Sequence, residues 1–67
     1  MARMFTVALH QEETLFVAKC LENGIASQGE TIDEALANLR EALELFYEDE
    51  PAPVFPKTLI TTLEIAL

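Results

Sequence analysis

The chain has 67 residues, 12 of them acidic and 4 basic, with a formal net charge of −8, and 51% are hydrophobic. That length limits it to one domain, residues 1–67. The charge opposes direct binding to nucleic acid, whose phosphates need basic partners. One cysteine, Cys20, excludes an internal disulfide framework and fits a reducing compartment.

The start MARMFTVAL is too short and too early structured to read as a secretion signal. No apolar run approaches the roughly 20 residues of a membrane span. A cytoplasmic protein without membrane contact is expected. Phe5, Val7 and Leu9 alternate with Thr6 and Ala8, the period of a half-buried strand. His10 to Thr14 is polar and reads as a turn. Leu15 to Cys20 is a second strand, with Phe16, Ala18 and Cys20 on one face and Leu15, Val17 and Lys19 on the other. A short polar loop between two such runs makes an antiparallel hairpin. Leu21 to Gly24 is the next turn, marked by Asn23-Gly24. Ile25 to Gln28 is a short third strand, and Gly29 turns the chain onward.

A helix then begins at Thr31. Thr31 and Glu34 have the spacing of a capping box, in which the hydroxyl accepts from a first-turn amide and the carboxylate reaches back to the cap amide. Ile32, Leu36, Leu39, Leu43 and Phe46 recur at steps of four and three, one stripe for the sheet. The helix is expected to end by Glu50, because Pro51 lacks the amide to continue it. PAPVFP is extended. Thr58 to Leu67 reads as a fourth strand, with Leu59, Leu63, Ile65 and Leu67 on one face and Thr61 as the polar exception.

One amphipathic helix among strands must cover a sheet, so the fold class is α+β, in the order β-β-β-α-β. If the first three strands meander, a right-handed crossover sets the fourth beside the first, giving the strand order 3-2-1-4. One helix covers one face only. The apolar content exceeds what so small a core can hide, so homo-oligomerisation is expected, through the second face or an open sheet edge.

The sequence offers little to catalysis. His10 is the one histidine and has no placed nucleophile or orienting carboxylate; a solvated turn histidine is the plainer reading. Cys20 alternates with Phe16 and Ala18, which suits a buried, inert thiol. No C-x-x-C, H-E-x-x-H, Walker or G-x-G-x-x-G pattern occurs. A two-metal hydrolase needs acids projecting from central strands, and the strands contain only Glu64. No catalytic residue, cofactor or metal is therefore expected. Glu48, Asp49 and Glu50 form the sharpest charge cluster. They sit at a helix end whose dipole already presents negative potential, at a cost of a few tenths of a kcal/mol each. A basic protein partner would explain their retention, and drift on a frayed end is the bland alternative. Glu22, in the second turn, is a weaker candidate for the same contact.

The segments FVAKCLE, IASQGETIDEALANLREALEL and ITTLEIAL resemble the HicB family of antitoxins, over nearly the whole chain. The most specific part is the S-Q-G-x-T turn and the E-A-L-x-N-L-x-E-A-L-E-L helix, Ser27 to Leu45. Many members carry a P-E-L-P-G-C-type turn before the third strand, where this chain has Cys20-Leu21-Glu22-Asn23-Gly24-Ile25, so it looks like a short subgroup. The resemblance implies a reduced RNase H-like sheet without catalytic carboxylates. It further implies an antitoxin of a type II pair that masks a small basic, mRNA-cleaving, HicA-like toxin. Many members add a DNA-binding segment after the fourth strand, and no residues of this sequence are expected to supply one. A stand-alone oligomeric regulatory protein without a toxin is the alternative reading, and a metal-dependent RNA hydrolase a remote one.

Overall fold

In a computed structural model, which describes residues 3–67, a three-stranded antiparallel sheet is followed by one helix. The strands are β1 (Val7–Glu12), β2 (Leu15–Cys20) and β3 (Ala26–Gly29), and the helix is α1 (Ile32–Phe46). The sheet order is β1-β2-β3, with β2 central. The α+β class and the meander agree with expectation.

The first hairpin is tighter than its polar sequence suggests. Glu12 pairs with Leu15, which leaves only Glu13 and Thr14 to make the turn, and Glu13 takes φ +53°. The strand therefore runs on through polar His10, Gln11 and Glu12, where sequence alternation stops at Leu9. Pairing with β2 holds these residues, whatever their polarity. The register sets Val7 opposite Cys20 and Leu9 opposite Ala18. Side chains alternate across a strand, so Val7, Leu9, Phe16, Ala18 and Cys20 share the helix face. The second turn behaves as read. Gly24 has φ +79°, the left-handed region open to glycine, and its amide donates to the Cys20 carbonyl at 2.8 Å. The Asn23 side chain accepts from the Ile25 amide at 3.0 Å, an Asx turn.

Thr31 caps α1 from an extended conformation, and its hydroxyl accepts from the Glu34 amide at 3.0 Å. The reciprocal bond falls one residue earlier than expected: Glu34 accepts from the Glu30 amide at 3.2 Å, not from that of Thr31. The helix ends at Phe46, ahead of Glu50. The Glu48 amide closes on the Leu45 carbonyl at 3.3 Å, a tightened last turn.

The expected stripe is corrected by one row. Leu39 and Leu43 are buried as expected, but Ala35 joins them, while Ile32, Leu36 and Phe46 are 45%, 37% and 63% exposed. Gly29 explains the rotation. A β-carbon built on Gly29 would lie 2.6 Å from the Ala35 amide nitrogen, so the end of β3 touches the helix backbone directly. That approach lays the 35-39-43 row on small Ala18 and on Cys20, and Phe5, Val7, Phe16, Ile25 and Tyr47 close round the core. The helix lies over β3 and β2 and is displaced from β1.

The expected fourth strand is not formed among the described residues. Residues 51–67 contain no helix, strand, turn or bend, and 59–67 are all exposed. Among the described residues the order ends at β1, with no strand paired to its outer edge. Alternation along 58–67 specifies a strand-like face; it does not specify the edge that receives it.

Candidate functional site

The carboxylates singled out from sequence lie at one end of the molecule. Tyr47 joins them. Its ring stacks on Phe5 with centroids 5.8 Å apart, and its hydroxyl accepts from the Asn23 side-chain amide at 3.0 Å. This bond ties the turn that carries Glu22 to the helix end that leads into Glu48. Phe55 follows, tilted against Phe5 at 6.1 Å, and brings the proline-rich run back against the segment that leads into β1.

Glu48, Asp49 and Glu50 are exposed and lie just beyond the capping Tyr47. The last turn of α1 holds no basic residue. The carbonyl end of the helix and three carboxylates thus make one negative surface.

Glu22 is engaged within the chain. Its carboxylate accepts from the Thr6 amide and from the Thr6 hydroxyl, each at 2.7 Å, and the Cys20 thiol donates to it at 3.6 Å. The Thr6 hydroxyl, then the Thr6 amide, hold its pKa at about 2, with smaller help from the Thr58 hydroxyl and against some desolvation. The arrangement clamps the start of β1 to the second turn, and Thr58 lies against the same carboxylate. Sequence reading missed this role, because Thr6 and Glu22 are 16 residues apart and meet only once the hairpin closes. Cys20 is buried, as its alternation suggested. His10 lies inside β1 rather than in a turn, and its ring nitrogen is 3.2 Å from Glu12 on the same exposed face.

A second feature was not visible in sequence. Between α1 and the segment that leads into β1 lies an open apolar groove of about 850 Å³, floored by Phe5, Val7, Leu36, Leu39 and Leu43. Its volume matches a small-ligand pocket, yet it lacks the converging buried polar groups that orient a ligand: among the described residues no polar side chain is buried. Among those residues, too, no group of acids, His and Cys could hold a metal ion, and no helix is long and apolar enough to cross a membrane. The end surface can therefore offer charge, and the groove apolar contact.

Residues 5–66 match a family of unknown function, DUF7387. The chain belongs to that family. The match takes in both turns, the sheet, the helix, the proline-rich run and all but the last residue of the exposed segment. No curated protein and no solved structure matches the chain.

Proposed function

We propose that this chain is a non-enzymatic, HicB-like antitoxin module that works by occlusion of a small, basic, mRNA-cleaving toxin. The observation that carries the reading is the exposed Glu48-Asp49-Glu50 surface at the carbonyl end of α1. A toxin that grips RNA must present positive charge where the phosphates lie, and a carboxylate cluster competes for that surface. Masking of this kind is steric and electrostatic and needs no cofactor. Glu22 stays a secondary contact, since its carboxylate is already committed to Thr6. The finer topology proposed is the reduced RNase H-like order 3-2-1-4, with the fourth place beside β1. The compartment proposed is the cytoplasm. The open groove favours a second component of the reading, self-association, which a stand-alone oligomeric regulator would share.

The test begins with co-purification from the native host and mass identification of what accompanies the chain. A basic RNA-cleaving protein is expected. Its association is then timed at low and high salt, beside a triple variant with Glu48, Asp49 and Glu50 each changed to lysine. The variant should associate on the order of tenfold more slowly at low salt and with a flatter salt dependence, because such charges act mainly on encounter. Equal rates at both salts would make the helix-end acids solvated bystanders. Absence of any basic partner would leave the stand-alone reading.

A further inference from the structure

Two unsatisfied surfaces face outward from this fold, and their chemistry matches. The first is the groove. Val7, the first residue of β1, and Arg3 to Phe5 before it bound one side, its floor is apolar, and among the described residues no strand pairs with the outer edge of β1, which continues from that side. Such an edge is a template for another strand. The opposite edge, β3, is only four residues long, and its Gln28 carbonyl is taken by the Asn38 side chain at 2.8 Å. The second surface is the run 59–67. It leaves the body after Thr58 and stays exposed, with Leu63 82% accessible. The radius of gyration is 13.7 Å, against about 11 Å for a compact chain of this length, and the longest dimension is 46 Å. An arm that stands away from the body accounts for the excess.

Arm and groove also agree in pattern and length. As a strand, the arm would set Leu59, Leu63, Ile65 and Leu67 on one face and Ile60, Thr62, Glu64 and Ala66 on the other. One face is thus almost wholly apolar, which suits a strand covered on a single side. At about 3.3 Å per residue, nine residues span about 30 Å, enough to fill the groove beside Phe5 and Val7 and to continue along the β1 edge to Glu12. Charge argues against a basic occupant. Two of the four basic residues, Arg3 and Arg40, line the groove, alongside Glu44. The arm's one charged residue is Glu64.

We propose that residues 59–67 of one copy fill the groove and extend the β1 edge of a second copy, with the exchange made reciprocally in a two-fold dimer. The partner is this chain itself, and the surface is the groove between α1 and the start of β1, with the β1 edge that runs on from it. In the structure the chain's own arm leaves its own groove open, and reciprocal exchange satisfies both edges and both arms with one self-complementary contact. The second sheet face is a poorer choice, because His10, Glu12, Lys19 and Gln28 interrupt its apolar residues. The proposal rests on the self-association part of the reading above and not on the toxin, so its experiment uses this chain alone.

The test is light scattering on the full chain across the micromolar range, beside Leu63→Asp. Because Leu63 is exposed, a charge there leaves the fold of each copy intact, and circular dichroism checks this. A mass of twice 7.5 kDa is expected for the wild type. Leu63→Asp should weaken the dimer at least tenfold. Separate Leu36→Cys and Leu63→Cys chains, mixed and oxidised, should form a disulfide between chains, while neither does so alone. A wild-type monomer throughout the range would overturn self-association as such. A dimer indifferent to Leu63→Asp would leave self-association standing and overturn this surface. Absence of the mixed disulfide would overturn the exchange.

Discussion

Glu22 shows how far the meaning of one residue depends on its neighbours in space. In sequence it is one more acid in an acidic chain. In the fold it accepts from the Thr6 amide and hydroxyl, and its pKa falls from an ordinary 4.5 to about 2. A carboxylate held below its unfolded value stabilises the fold fully above the unfolded pKa and loses that contribution as pH falls through the folded one. The window is therefore from about 4.5 down to about 2. Urea titrations across that range should show the wild-type midpoint falling faster than that of Glu22→Gln, with the two converging at the acid end. Parallel curves would show that the Thr6 clamp does not persist in solution. Cys20, beside this carboxylate, shows the opposite case: its burial was legible from alternation with Phe16 and Ala18 alone.

At the scale of the element, α1 separates what periodicity can say from what it cannot. The stripe Ile32, Leu36, Leu39, Leu43 and Phe46 identified a helix and one apolar side. It did not reveal which part of a broad apolar arc touches the sheet. Gly29 decided that, by letting β3 meet the backbone at Ala35 and turning the 35-39-43 row inward. Leu39, 1% exposed, should therefore cost about 2–5 kcal/mol on change to alanine. Ile32→Ala should shift stability by only about 0.5 kcal/mol, as exposed positions do. Chemical denaturation of both variants checks the register, and equal losses would restore the stripe as first read. The Thr31 half of the cap was legible from the sequence, while the reach of Glu34 to the Glu30 amide, rather than to that of Thr31, depended on how the chain enters the helix.

At the scale of the whole molecule, charge and shape act together. A net charge of −8 on so small a body repels itself and destabilises the compact state. Added salt should raise the melting temperature, most steeply up to physiological ionic strength, where the screening length falls to about 8 Å. The triple lysine reversal moves the net charge from −8 to −2, two units per residue, and should flatten that rise. Melts at fixed protein concentration in both proteins test it; an equal slope would place the repulsion elsewhere than the helix end. The groove belongs to this scale as well. It exists because α1 sits over β2 and β3 and is displaced from β1 and the segment before it.

The sequence by itself determined the α+β class, the three strands in order, the second turn, the capped start of the helix and a strongly acidic surface. Each rests on local information: a period of two, a period of 3.6, a turn dipeptide, a capping pair, a charge count. Only the tertiary structure decided which row of the helix is buried, that Glu22 is a clamp, that a groove opens beside β1, and that 59–67 does not occupy it. Those outcomes depend on contacts between residues far apart in the chain, whose energies no local pattern records. The alternation along 59–67 is the clearest instance: it prescribes one apolar face, and only the packed molecule says whether a surface waits to receive it.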